Sequence, residues 1–191
     1  MQKVRVVGLN AKFFDEHDLY NIDDEIMPNE TSGHKRPYVV IIKLNFKGSK
    51  QDFAVPFRSN ISGSNDNANY FALPPRKETR KFHRHGLHFI KMLPIEKEYF
   101  EKYNYPTNNA SASRTIAYIQ KNFKRLVQEA QSYIDSFSRG HRPPLCVDID
   151  KIYDAIKLSK PEFAEKSADK LISGESSDVQ DSIAINEPQG K

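Results

Sequence analysis

The segment Val55-Pro56-Phe57-Arg58-Ser59-Asn60-Ile61 sets a guanidinium and a hydroxyl side by side at the end of an apolar stretch. Phe53, Val55 and Phe57 alternate with Asp52, Ala54 and Pro56, which is the period of a strand with a buried face. Proline cannot donate to a central ladder, so the strand is expected to end at Pro56 and to release Arg58 and Ser59 into the Ser-, Asn- and Gly-rich stretch 59–69. A fixed arginine beside a hydroxyl can grip a phosphodiester and stabilise the charge that builds on it. Metal-free RNA cleavage needs such a group, together with removal of a proton from the attacking 2′-hydroxyl and delivery of one to the leaving 5′-oxygen. The plain alternative is a surface arginine followed by a turn-forming serine.

A second candidate runs from Arg76 to His88. Arg76, Lys77, Arg80, Lys81 and Arg84 stand against the single acid Glu78, with Phe82 interleaved. That composition suits phosphate tracking combined with base stacking. His83, His85 and His88 are of a type that titrates near neutrality and serves as acid or base. His-x-His-x-x-His also permits a zinc reading, but no cysteine lies near and Glu78 is the one nearby carboxylate, so no metal is expected. The alternative is a solvated loop. A third cluster, Gly33-His34-Lys35-Arg36-Pro37-Tyr38, leads into an apolar run and could face the same cleft as Arg58; Tyr38 reads equally well as core. Lys121, Lys124 and Arg125 read as solvated helix surface, and Asp148 and Asp150 as helix caps rather than a metal pair.

These residues need elements to hold them. Val4 to Gly8 suggests a first strand, Ala11 to Ile22 a short helix, and 21–34 a loop. Tyr38-Val39-Val40-Ile41-Ile42 is a β-branched run suited to a buried strand, and Lys47-Gly48-Ser49-Lys50 turns it back as a hairpin. Leu87 to Ile95 alternates as another strand, and Glu96 to Tyr103 is expected to make a helical turn or two. Ile116, Ile119, Phe123, Leu126, Val127, Ala130, Ile134 and Phe137 predict one long helix over 113–137, capped by Ser113 and ended by Gly140 and Pro143-Pro144. A shorter helix follows with Asp148 as its cap. Strands early and helices late point to an α+β domain with an antiparallel sheet.

The bulk numbers agree. With 191 residues, 38% hydrophobic and 11% aromatic, one globular domain over 1–163 is expected, followed by a polar tail over 164–191. That tail holds three lysines against six carboxylates, so the overall +4 leaves +7 on the first 163 residues, a surplus that favours a polyanionic partner. No run approaches the ~20 apolar residues of a membrane helix, and Met1 to Leu9 lacks a signal-peptide core. The single cysteine, Cys146, suits a reducing cytoplasm.

Three stretches taken together, Arg36-Pro37-Tyr38-Val39-Val40-Ile41, Phe53-Ala54-Val55-Pro56-Phe57-Arg58-Ser59-Asn60-Ile61 and Gly86-Leu87-His88-Phe89-Ile90-Lys91, resemble the ToxN/AbiQ-type endoribonuclease toxins of bacterial type III toxin–antitoxin systems, in particular their TenpN-like branch. The likeness spans roughly 1–156. It implies a strongly bent antiparallel sheet with flanking helices, similar to MazF/Kid-like toxins. It also implies metal-independent RNA cleavage leaving a 2′,3′-cyclic phosphate, with no cofactor. The implied partners are cellular or phage RNA as substrate and an inhibiting antitoxin RNA of repeated pseudoknots, in a toxin–RNA hetero-oligomeric complex and a phage-defence role. Ser59 matches the serine at the centre of that family's active site. The ToxN branch has a threonine before this serine and a lysine two residues after it, where this chain has Arg58 and Ile61. The lysine's role is therefore not carried over, and Arg58 is the nearest cation to replace it. The expected RNA contacts are Arg36, Tyr38, Asn60, Arg80, Lys81, Arg84 and His85. The alternative function is a non-catalytic RNA-binding module.

Overall fold

The computed structural model describes residues 4–31, 33–64, 66–77, 79–104 and 110–159, with backbone alone for 40–42. The acidic stretch 164–191 lies outside the described residues.

A long hairpin forms the spine. β4 (Tyr38–Phe46) turns at Lys47 and Gly48 into β5 (Ser49–Ser62), with Val39 opposite Val55 and Tyr38 opposite Pro56. β1 (Val6–Leu9) pairs with β4 on its far side, and β9 (Phe100–Lys102) with β1. On the other edge β5 changes partner along its length. Asp52 to Ala54 pair with β8 (Leu93–Ile95), and Phe57 to Ser62 with β7 (His83–His88), which in turn pairs with β6 (Tyr70–Leu73). Each of these pairings is antiparallel, as the sequence suggested.

The change of partner explains why Pro56 does not end the strand, contrary to expectation. The Phe57 N–H donates to Pro37 O at 3.1 Å, so the neighbouring Pro56 nitrogen faces the opposite edge. There it falls between the last pair to β8 at Ala54 and the first to β7 at Phe57, where no ladder donor is required.

Alternation along the hairpin feeds two cores. Val39, Phe53, Val55 and Phe57 pack with Phe71, Leu87 and Phe89 against α3 (Ala110–Lys121) and α4 (Phe123–Ser138), through Ile119, Leu126, Ala130, Ile134 and Phe137. Tyr38 and Ala54 face the other way. They join Leu93 and Ile95 beneath Phe13 and Phe14 of α1 (Ala11–Glu16), Leu19 of α2 (Leu19–Ile22) and Ile152 and Ile156 of α5 (Ile149–Leu158). Each fully buried Phe or Ile contributes about 1.5–3 kcal/mol.

Five predicted segments are subdivided. The first helix breaks at Asp18, which adopts φ 49°. The loop 21–34 includes the first strand of a small ribbon, β2 (Glu30–Thr31) against β3 (His34–Lys35). The predicted strand 87–95 is split by a 3-10 turn over Phe89–Lys91, and the predicted turns at 96–103 yield a 3-10 turn followed by β9. The long helix is two helices. Ser113 lies inside the first of them, and the break falls at Asn122, whose own side chain donates to Tyr118 O at 2.8 Å and competes with the helical ladder. Asp148 does cap α5, accepting from the Lys151 N–H at 3.3 Å.

Candidate active site

Ser59 does not follow the strand; it lies within it, at a bulge. Between the pairs Arg58–Gly86 and Ile61–Arg84, β5 advances three residues while β7 advances two. Asn60 takes up the surplus at φ 59°, a left-handed conformation that asparagine tolerates better than most residues. Its Oδ1 accepts the backbone N–H of Arg80 at 2.9 Å. The bulge also reverses the alternation. In a regular strand Ile61 would share the face of Phe57, but its Cδ1 lies beside Gly86, the partner of Arg58. Ser59 itself is exposed, and among the described residues its hydroxyl makes no hydrogen bond.

Arg58 is half-buried and its Nη1 lies 3.2 Å from His88 Nδ1. A guanidinium only donates, so His88 Nδ1 accepts and the ring proton sits on Nε2. His88 is 2% exposed, and burial, reinforced by the charges of Arg58 and Lys91, pushes it down to about 3. It is a neutral ring that orients Arg58. Lys91, itself buried, is paired with Glu25.

Arg36 reaches the same region from the start of β4. Its Nε donates to Pro28 O at 3.0 Å and its N–H to Asn29 O at 2.7 Å. Burial lowers this guanidinium from its ordinary value; the Tyr38 phenol opposes that shift and Arg58 adds to it. The two arginines thus feel each other's charge. Among the described residues no carboxylate pairs with Arg36, Arg58, Arg80, Lys81 or Arg84. Elsewhere cations are matched: Lys35 with Glu101, Lys47 with Asp150 and Asp154, Arg142 with Asp148 and Asp150. Cations without internal counter-charge attract an external anion.

Two expected RNA contacts are overturned by burial. Tyr38 is 1% exposed, and desolvation holds its phenol well above the ordinary value, so it is core. His85 is 2% exposed, stacked on Phe57 with ring centroids 6.3 Å apart, and pushed down to about 4 by burial with help from Arg76. His85 and His88 therefore do not titrate near neutrality. His83 stays half-buried, its Nδ1 within 3.0 Å of Lys81 O. Arg80, Lys81 and Arg84 are exposed at the mouth of β7. Among the described residues no group of three or more His, Cys, Asp or Glu could hold a metal ion, and no helix is long and apolar enough to cross a membrane. His88 as the acceptor for Arg58 escaped sequence reasoning, because the contact depends on the pairing of β5 with β7, 30 residues apart in the chain.

Comparison with solved structures gives the fold a precedent. A structure of a bacterial type III toxin–antitoxin system, in which a non-coding RNA pseudoknot selectively inhibits the toxin, superposes with TM-score 0.61 at 16% identity, over 87% of this chain and 99% of that one. AbiQ, a lactococcal anti-phage endoribonuclease of a type III system, matches with TM-score 0.59 at 8% identity, over 87% and 99%. This chain has the type III endoribonuclease toxin fold. A third structure with that fold, from a bacterial antiviral system regulated by a processed non-coding RNA, matches with TM-score 0.58 at 13% identity, over 81% of this chain and 98% of the other. The expectation of an α+β toxin core with a large antiparallel sheet and flanking helices is met. No family model and no curated protein matches the sequence.

Proposed function

We propose that this protein is a metal-independent endoribonuclease, the toxin of a type III toxin–antitoxin pair acting in the cytoplasm on cellular or phage RNA. One observation carries the reading. On a fold shared with such toxins, an exposed hydroxyl at Ser59 follows directly in the chain an arginine aimed by a neutral histidine, amid cations that have no carboxylate partner among the described residues. In the reaction the 2′-hydroxyl loses its proton and its oxygen bonds to phosphorus. The P–O5′ bond breaks, O5′ takes up a proton, and a 2′,3′-cyclic phosphate remains. Arg58 stabilises the charge on the phosphorane, worth about 3–4 kcal/mol for one preorganised donor. Ser59 orients or activates at the scissile phosphate. Inhibition would come from an antitoxin RNA pseudoknot that occupies the same cationic surface; in one matched system a non-coding RNA pseudoknot selectively inhibits the toxin.

The test is a Ser59→Ala protein assayed on RNA with end-group analysis, with and without EDTA. Loss of cleavage with antitoxin-RNA binding retained is expected, and EDTA should leave the wild type active. Wild-type cleavage by Ser59→Ala would remove the assignment. RNA binding with no cyclic-phosphate product by the wild type would leave a non-catalytic RNA-binding module.

A further inference from the structure

We infer that Phe82 is a stacking platform for an unpaired base of the RNA strand that passes Ser59, a reading that rests on the function proposed above. Phe82 is 75% exposed, whereas the other described phenylalanines are buried or half-buried. It also sits at φ 63°, in the left-handed region that side chains with a Cβ disfavour. A ring presented to water on a strained backbone is doubly unfavourable for the folded chain alone.

Hydrogen bonds hold the turn that presents the ring. The His83 N–H donates to Arg80 O at 3.0 Å and closes the turn that carries the ring. The Gly63 N–H donates to Phe82 O at 2.9 Å, and a Cβ on Gly63 would come within 2.3 Å of that oxygen, so this contact requires glycine. The Arg80 N–H is held by Asn60 Oδ1, which ties the turn to the bulge that carries Ser59. The ring and the candidate catalytic hydroxyl are thus positioned by one hydrogen-bonded unit.

The surroundings identify the occupant. Lys81 Nζ lies 4.9 Å from the ring centroid, and Arg80 and Arg84, two residues to either side in the chain, are exposed. A flat exposed ring within a basic segment suits a base with its flanking phosphates, because any base offers a π-face and the backbone supplies the counter-charge. A protein partner would need a contiguous apolar patch, which a single ring does not provide. A duplex keeps its bases stacked on one another, so the ligand is single-stranded RNA.

The chain contains no tryptophan, so Phe82→Trp installs one fluorophore at the platform. In a Ser59→Ala background, which keeps the RNA intact, binding of a mixed-sequence single strand of about 15 nucleotides should quench that tryptophan. Phe82→Ala should weaken binding about ten-fold or more, Phe82→Tyr should restore it and Phe82→Leu should not. Leu145→Ala serves as control, since Leu145 is also exposed and left-handed but lies outside the turn. A blunt duplex of the same sequence should be indifferent to Phe82. RNA binding or cleavage that is insensitive to Phe82→Ala, or unquenched Phe82→Trp fluorescence in a protein that binds the strand, overturns this inference alone. A wild-type protein that neither binds nor cuts RNA overturns the function and this inference together.

Discussion

Two bulges interrupt the central hairpin, and they differ in use although they are built alike. In β4 the register shifts between Ile41 and Leu44, with Lys43 at φ 65°; in β5 it shifts between Arg58 and Ile61, with Asn60 at φ 59°. Each is tied by one side-chain oxygen to a backbone donor: Asp52 Oδ1 accepts from Lys43 N at 3.0 Å, and Asn60 Oδ1 accepts from Arg80 N at 2.9 Å. The first is then locked to α4, where Gln131 both accepts from the Asn45 N–H and donates to Asn45 O. Among the described residues the second meets no helix lock of this kind; it presents Ser59 to solvent and is tied instead to the basic turn that holds Phe82. A bulge re-aims side chains wherever it occurs. What makes one of them a candidate site is the set of cations around it, which have no carboxylate partner among the described residues.

The largest expected contrast lies in activity. Ser59→Ala should lower RNA cleavage by about 10²–10⁴-fold, the range of a lost acid–base or orienting group, with stability unchanged within about 0.5 kcal/mol. Single-turnover rates and a thermal melt read the two effects separately. Next, Arg58→Ala should cost about 10²–10³-fold in cleavage rate, with Arg58→Lys recovering only part because an ammonium lacks the planar fork. Equal rates for Arg58→Lys and the wild type would rule out a geometric role for the guanidinium.

The counterpart at the other bulge is structural. Asp52→Ala removes the acceptor of the exposed Lys43 N–H, which water then satisfies, and should cost about 0.5–1.5 kcal/mol in urea titration, without changing the cleavage rate per folded molecule. A larger loss of rate than of stability there would erase the contrast between the bulges.

A pH effect follows from the buried histidines behind Arg58. In the unfolded chain His88 takes up its proton near 6.5, but in the fold only near 3, and His85 only near 4. Between those values the unfolded state binds more protons, so stability is full above 6.5 and is lost as the pH falls, at up to about 1.4 kcal/mol per pH unit for each group. Replacing both histidines with glutamine should flatten this slope between pH 6.5 and 4; an unaltered slope would place its origin elsewhere. The smallest expected effect is Asn60→Gly. Glycine accepts the left-handed φ, so stability should change by no more than about 1 kcal/mol, while loss of the Arg80 tie should raise KM for RNA more than it lowers kcat.

How much of this was legible in the chain differs by element. The period-2 alternation of Phe53, Val55 and Phe57, the helical spacing of Leu126, Ala130, Ile134 and Phe137 and the Asp148 cap all read correctly, because each depends on neighbours a few residues away. Pro56 misled because its cost depends on which edge its nitrogen faces, and that is set by where β8 stops and β7 starts. The long helix was read through Asn122 because apolar spacing continues across the break.

The sequence alone determined the α+β class, the basic body and the adjacency of Arg58 to Ser59, since composition, periodicity and covalent order are properties of the chain itself. Tertiary structure alone decided that His85 and Tyr38 are core, that His88 orients Arg58, and that Arg36 lies within electrostatic reach of it. The physical reason is that desolvation and charge coupling depend on distance through space. A bulge of one residue, invisible in the pattern of apolar side chains, determines which of them share a face.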